Sequence, residues 1–338
     1  MDRHLCRAGE RMKLVVITGC YGFIGSHVTV ACLQKGWKVY GIDKETYASN
    51  SHNEFFSLSI EQFGRSNNFV YIKEDICNLK DLPDCDYVIN IAAETHVGNS
   101  IIDSTDFIHS NITGVKNLLD IIRRKPDNVA SKPIFFHFST DEVYGDVVEG
   151  SHTEKSPLIP SNPYSASKAA ADMLIKAWAR TYGIDYLILR PTNNYGIGQY
   201  PEKLIPLAVK LLQRERKIRL HNKGEPFRNW LHAEDTAQAV VKIIESGVIN
   251  EIFNVAGGFE QKNKDTVLKI INSYFNGSYD KEYIGYEEWL DLSFVREGQD
   301  VRYSVDDTKL RGLGWEPVKK FDEEIDKIVK HYKTIFRW

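Results

Sequence analysis

Residues 18–25 read TGCYGFIG, with glycines at 19, 22 and 25. They follow a short β-branched run at 13–18 (KLVVIT) and open 23–35, where apolar residues recur at helical spacing until Gly36 stops them. A strand, a glycine turn and a helix in that order permit a tight turn and a close approach of backbone to a pyrophosphate. The helix N-terminus adds free N–H groups and a dipole that favour an anion. Gly19, Gly22 and Gly25, with Phe23 and Ile24 between them, are therefore candidate cofactor contacts. A loop of this kind can also be no more than a turn that packs helix on strand, so its surroundings decide.

The surroundings repeat the alternation. Apolar runs at 38–42, 69–72, 87–91 and 134–138 end at Asp43, at Asp75, at Ala92 with Ala93, and at Ser139 with Thr140. Helical patterns come between them, the longest at 111–124 and 164–182, and a further strand is expected at 186–189. Such an order predicts an α/β fold, a Rossmann-like doubly wound parallel sheet covered on both faces. Beyond Pro191 the texture changes, with turns such as 196–203 (GIGQYPEK) and 221–229 (HNKGEPFRN) between short elements. That predicts a smaller C-terminal substrate-binding lobe whose segments return to the sheet.

Asp43 closes the second strand near the roughly 20-residue offset at which an acid meets the ribose of a dinucleotide. A carboxylate there accepts bonds from both ribose hydroxyls and repels a 2′-phosphate, so NAD is expected rather than NADP. Lys44, its neighbour, argues the other way. Asp75 stands at the end of the third strand, where it could take an adenine edge or be a solvated strand-end acid. The expected division is a loose extension at 1–11, an NAD-binding domain at 12–190 and mainly a substrate lobe at 191–338.

With 338 residues and 42% hydrophobic content the chain can bury a large core. Its 43 basic and 46 acidic residues are interspersed, for a net charge of -3, which gives no footprint for nucleic acid or a membrane surface. No apolar run approaches the roughly 18 residues of a membrane span, and the start, MDRHLCRAGER, is charged where a signal peptide turns apolar. The five cysteines (Cys6, Cys20, Cys32, Cys77 and Cys85) never form C-x-x-C and read as reduced thiols of a cytoplasmic protein. No metal set stands out.

Tyr164 and Lys168, in YSASK, lie four apart on an expected helix and so share a face. An ammonium near a phenol favours the phenolate and would lower the tyrosine toward the working range of a general base. Taken alone the pair could be an ordinary amphipathic face. Beside a dinucleotide loop and the hydroxyls of Ser139 and Thr140 it makes a set suited to oxidising an alcohol.

Several segments carry a resemblance: TGxxGFIG at 18–25, AAETHV at 92–97, STDEVYGD at 139–146, NPYSASKAAAD at 162–172, NNYG at 193–196, YPEKLIP at 200–206 and RNWLHAED at 228–235. From residue 12 to about 315 the chain resembles the extended short-chain dehydrogenase/reductases, and within them the nucleotide-sugar 4,6-dehydratases. Sugar epimerases of that superfamily share the loop and Y-x-x-x-K but lack the acid pair after the threonine. The resemblance implies NAD and a redox-neutral cycle on a nucleotide-diphosphate hexose, of the dTDP-glucose or UDP-glucose type. C4 is oxidised, water is lost across C5 and C6, and the hydride returns to C6.

By the same resemblance Tyr164 takes the C4 hydroxyl proton with Lys168 behind it, and Thr140 bonds the C4 oxygen. Glu142 is the base at C5 and Asp141 the acid at C6. Ile76, Ala92, Ala93 and Ser110 join the glycine loop, Asp43, Lys44 and Asp75 around the cofactor, with Asn194 on the nicotinamide side. Thr95 and Asn193 fall to the sugar, and Lys203, Leu204, Arg228, Asn254 and Arg296 to the nucleotide diphosphate. Trp230 reads as core. The helices near 111–124 and 164–182 correspond to the family's dimer-forming pair, so a homodimer is expected. Gly98, Ala256, Glu297 and Gln299 depart from the family pattern, which leaves a GDP- or UDP-linked N-acetylhexosamine open as substrate. A 4-epimerase or decarboxylase needs only the Thr, Tyr and Lys set, and a non-catalytic NAD-binding protein needs none of it.

The acid pair carries a geometric demand. Neighbouring side chains on a strand point to opposite faces, so Asp141 and Glu142 reach one sugar only if the chain leaves strand geometry there.

Overall fold

The computed structural model describes residues 11–49, 68–126, 132–277, 285–295 and 300–335. Of the expected N-terminal extension at 1–11, residues 1–10 lie outside them, as do Arg296, Glu297 and Gln299. Seven strands form one sheet: β1 (Leu14–Thr18), β2 (Lys38–Asp43), β3 (Phe69–Lys73), β4 (Tyr87–Asn90), β5 (Ile134–Phe138), β6 (Tyr186–Pro191) and, from the C-terminal half, β10 (Glu251–Val255). Their order is β3-β2-β1-β4-β5-β6-β10 and each neighbouring pair is parallel. This is the doubly wound α/β sheet that the apolar runs predict.

Period-2 alternation along these strands separates two cores. Val15, Ile17, Ile89, Phe136, Phe138, Leu187 and Leu189 face one layer, which includes residues of helix Phe23–Gln34 and helix Ala233–Ser246. Val16, Val88, Phe135 and Ile188 face the other, with Leu118 and Ile122 of helix Val115–Arg124 and Ala171 and Ile175 of helix Pro163–Tyr182. Because both faces are covered, the central strands are mostly apolar rather than alternating with polar residues, and only the edge strand β3 is largely exposed or half-buried.

The long helix Pro163–Tyr182 starts where the sequence demands. Proline occupies its first turn, the Asn162 side chain accepts from the Ser165 N–H at 2.9 Å, and Ser165 returns a bond to the Asn162 backbone. Gly183, at φ +66°, ends it. The helix expected at 111–124 differs: its first turn is a π-helix, His109–Gly114, before the regular Val115–Arg124. There the buried Asn111 side chain bonds the Glu94 backbone in both directions, at 2.9 and 3.0 Å, and donates to Ser167 Oγ at 2.9 Å. These side-chain bonds tie the widened turn to the loop after β4 and to the long helix.

After Pro191 the chain builds a second, smaller body. A three-stranded sheet of β7 (Asn193–Tyr195), β9 (Phe227–His232) and β11 (Phe259–Lys262), a short pair of β8 (Ile218–Arg219) with β12 (Leu290–Asp291), and helices Leu204–Gln213, Asn263–Tyr274 and Phe321–Thr334 surround their own core. Trp230 packs in that core and donates its ring N–H to Thr266 Oγ1 at 3.2 Å. Helix Ala233–Ser246 and β10 return to the large sheet, so the two bodies share a wall.

Candidate active site

The glycine loop joins β1 to its helix as a tight turn. Gly19 takes φ +71°, and a Cβ on Gly25 would stand 1.9 Å from the Gly19 carbonyl oxygen, so no side chain fits there. Gly22 caps the helix without a side-chain acceptor, leaving first-turn N–H groups to a ligand. The cradle fits a pyrophosphate.

At the tip of β2 the Asp43 carboxylate is oriented from three sides. Oδ2 accepts from the Tyr21 N–H at 3.0 Å, and Oδ1 accepts from the Glu45 N–H at 2.8 Å and from Ser49 Oγ at 2.9 Å. Lone pairs remain for ribose hydroxyls. Lys44, the residue that argued for NADP, is engaged elsewhere: its ammonium donates to Ser110 Oγ at 3.2 Å and lies 3.4 Å from Asp75 Oδ2. Burial raises Asp75, but the Cys77 N–H at 2.9 Å and then Lys44 outweigh it and hold the carboxyl below its usual range.

One cleft runs from this end to the strand ends of the sheet. Gly19, Gly22, Phe23, Ile24, Gly25, Asp43, Lys44, Asp75, Ile76, Ala92, Ala93 and Ser110 line it. So do Thr95, Thr140, Asp141, Glu142, Tyr164, Asn193, Asn194 and Lys203. Asn194 is fixed by Thr236 Oγ1, which donates to its Oδ1 at 2.6 Å, and by its own donation to Thr192 O at 3.0 Å.

Beyond β5 the chain leaves strand geometry at once. Thr140, at φ -157° and ψ 157°, caps a 3-10 turn, Asp141–Tyr144, by accepting the Glu142 N–H at 3.3 Å. The turn places both carboxyl groups on the cleft side, which a strand would not do. Asp141 accepts from Thr140 Oγ1 at 3.1 Å through Oδ1, while its Oδ2 has no protein partner. Burial, reinforced by Glu142, pushes the Asp141 carboxyl up to about 7. Glu142 is also raised by burial, but Arg228, a hydrogen bond from Asn162 and Lys203 pull against it. The two acids thus sit in different fields.

Tyr164 and Lys168 lie on the first two turns of the long helix, both buried, Lys168 behind the cleft wall. The expected lowering of the phenol by Lys168 is not what this environment does. Burial first and Glu142 next push Tyr164 up, Asp141 adds to this, and only the Thr140 side chain opposes. Lys168 turns away: Nζ donates to Phe138 O at 2.5 Å and lies 3.4 Å from His137 Nε2. Burial lowers it to about 8 against the pull of Asp172.

The remaining residues assigned by resemblance are not all in the cleft. Lys203 Nζ donates to Thr95 O and Oγ1, at 3.1 and 3.2 Å. Leu204 is the first residue of its helix and packs against the second core. Arg228 is buried, with its guanidinium on Phe227 O and Asp300 O. Asn254 is locked as structure: its Oδ1 accepts from Tyr144 OH at 2.8 Å and its Nδ2 donates to His152 O and Asp306 O, so no polar atom is aimed at the cleft. Arg296 lies outside the described residues. Sequence reasoning missed Asn162, Asp172, Arg190, Asp300 and Tyr303. Asn162 had a signal, the N-cap before Pro163, whereas the others reach the site only through the fold.

Comparison with known proteins places this geometry. The chain matches the family described as GDP-mannose 4,6 dehydratase over residues 16–328. It belongs to that family. Its relatives include the dTDP-glucose 4,6-dehydratase of Neisseria meningitidis serogroup B, 36% identical over 97% of this chain and 95% of that one. The dTDP-glucose 4,6-dehydratase 1 of Escherichia coli K12 is 36% identical over 96% and 94%. Among solved structures, the dTDP-glucose 4,6-dehydratase of Streptomyces venezuelae, with NAD bound, superposes with a TM-score of 0.84 at 32% identity, over 95% of this chain and 97% of that one. A UDP-glucuronic acid 4-epimerase from Bacillus cereus reaches a TM-score of 0.81 at 23% identity, over 95% and 99%, and so shares the fold. Among the side chains gathered in this cleft, the acid pair is the part that an alcohol oxidation alone would not require.

Proposed function

We propose that the chain is an NAD-dependent 4,6-dehydratase of a nucleotide-diphosphate hexose, with dTDP-glucose or UDP-glucose as the favoured substrate. The observation that carries the reading is the 3-10 turn, which brings two consecutive carboxyl groups into one cleft with Tyr164 and Thr140. An alcohol oxidation needs only Tyr164, Lys168 and Thr140. Loss of water also needs one carboxylate to take a proton and one carboxylic acid to give one.

NAD, when bound, supplies the acceptor that takes the C4 hydride and later returns it to C6. Tyr164, which burial holds in the phenol form and which must ionise before it can act, takes the C4 hydroxyl proton while Thr140 holds the oxygen. The ketone at C4 acidifies C5–H, and Glu142 removes that proton. Asp141, whose raised value keeps a proton on it near neutrality, protonates the C6 oxygen as it leaves as water. Return of hydride to C6 and of a proton to C5 completes a cycle whose net change is the loss of one water.

In this reading residues 12–190 hold the cofactor and 191–338 hold mainly the nucleotide sugar. A homodimer is supported by the exposed apolar side chains Ile101, Ile102, Ile108 and Met173 on neighbouring helices, and a cytoplasmic location by free thiols at Cys20, Cys32, Cys77 and Cys85. Among the described residues no helix is long and apolar enough to cross a membrane. The test is a panel of dTDP-, UDP- and GDP-linked glucose and N-acetylglucosamine, scored for the alkaline absorbance of a 4-keto-6-deoxy product and the mass loss of one water. An epimerised product without mass loss would overturn the reading.

A further inference from the structure

We infer that Tyr303 and Asp300 are positioning residues for Glu142: a phenol shared between two carboxylates orients the C5 base and sets its strength. The inference rests on the dehydratase reading and deepens it. Both residues come from the segment at 300–303, about 160 positions after Glu142, and both are buried, Tyr303 3% and Asp300 6% exposed. The Tyr303 hydroxyl donates to Asp300 Oδ2 and lies 3.5 Å from Glu142 Oε2. The same Asp300 oxygen accepts from Ser161 Oγ, one residue before the Asn162 that caps the long helix. The Arg228 guanidinium lies over the Tyr303 ring, 4.8 Å from its centroid, and its two terminal nitrogens stand 3.5 Å from the Asp300 carbonyl.

Tyr303 has one proton and two acceptors. Burial, followed by Glu142, holds the phenol far above its ordinary value, so it stays neutral and acts as a donor throughout the working range. Turned to Glu142, it stabilises the carboxylate and fixes the rotamer that must meet C5–H. Turned to Asp300, it releases Glu142 as a stronger base with a second negative charge nearby. The charged or titratable groups that face Glu142 come from every element packed on it. They are Asp141 on its own turn, Tyr164 on the long helix, Lys203 before the next helix, Arg228 on β9, and Asp300 with Tyr303. Arg228 and Lys203 lower Glu142, Asp300 raises it, and Asn162 contributes a neutral hydrogen bond. Tyr303 is absent from the wall of the cleft, so its influence passes through Glu142.

The two variants that test this move in opposite directions. Tyr303→Phe removes a donor to the carboxylate and shifts the acid limb of kcat/KM to higher pH. Asp300→Asn removes a like charge and shifts that limb to lower pH, each by about one unit. A purely structural role would slow both variants without moving the limbs apart. The wild-type protein is first assayed on the nucleotide-sugar panel. If it yields no 4-keto-6-deoxy product, the functional reading fails. If it does and the two limbs coincide with the wild type or move together, only the positioning inference fails. The infrared carboxyl band that disappears in Glu142→Gln follows the same titration without turnover. Opposite shifts of that band in Tyr303→Phe and Asp300→Asn support the inference, and an unmoved band overturns it.

Discussion

The Arg190 guanidinium stands 2.8 Å from the Asp172 carboxylate, and the two side chains are 1% and 0% exposed. Nε and a terminal nitrogen both donate to Asp172 Oδ2, while the other terminal nitrogen donates to Tyr144 OH at 2.7 Å. Asp172 lies one helical turn beyond Lys168, and Tyr144 closes the turn that carries the acid pair. A buried ion pair thus ties the helix bearing Lys168 to the turn bearing Asp141 and Glu142.

Asp172→Asn leaves Arg190 charged and unpaired in the interior. A loss of about 3–5 kcal/mol is expected, because the surviving ion keeps its desolvation cost without its partner. Thermal and urea unfolding of the NAD-free protein read it directly. A variant as stable as the wild type would show that Tyr144 alone holds the guanidinium.

Glu142→Gln keeps the shape of the turn and removes the proposed base. Dehydration should fall by about 10²–10⁴-fold while substrate still reduces bound NAD, since C4 oxidation calls on Tyr164 and Thr140. NADH absorbance in a single turnover, beside the product assay, separates the two steps. Full dehydration by this variant would remove Glu142 from the role.

Asp141 links activity and stability to pH in one direction. Its value in the fold is about 7 against an ordinary 3.8, so the folded protein prefers the neutral acid. The stability that this preference contributes is complete below about 4 and is lost as pH rises through about 7. Dehydration requiring the protonated form should decline over the same upper limb. Asp141→Asn, neutral at every pH, should therefore be inactive in dehydration yet more stable than the wild type at pH above about 7, by at most about 4 kcal/mol. Melting curves at acid and mildly alkaline pH test the sign.

Gly25→Ala adds a methyl group 1.9 Å from the Gly19 carbonyl oxygen, and the loop has to open to admit it. Loss of NAD binding by at least about tenfold is expected with the rest of the sheet intact, because the disturbance falls in the turn proposed to cradle the pyrophosphate. Titration with NADH fluorescence and far-ultraviolet circular dichroism check the two halves of this statement.

Much of this protein is legible as local chemistry. The apolar runs and glycines specify β1, the turn and the helix that follows, because each depends on residues within a few positions. Pro163 and Asn162 start the long helix by the same short-range logic, and Gly183 ends it. The pairing of Asp141 with Glu142 is visible in the sequence as a chemical demand. The field around Tyr164 is not, since it depends on burial and on which way Lys168 turns, and the structure sends that ammonium to Phe138 and His137.

Local residue order specified the strands, the glycine turn, the acid at the tip of β2 and the spacing of Tyr164 and Lys168. Tertiary structure alone decided that Asp141 and Glu142 leave strand geometry together, that Asn254 is spent on Tyr144 and Arg228 on Asp300, and that Tyr303 stands behind Glu142. The difference is one of range. Periodicity and turn chemistry act over a few residues, whereas burial, charge pairing and hydrogen-bond commitment depend on groups more than a hundred positions apart that meet only when the two bodies close on a shared wall.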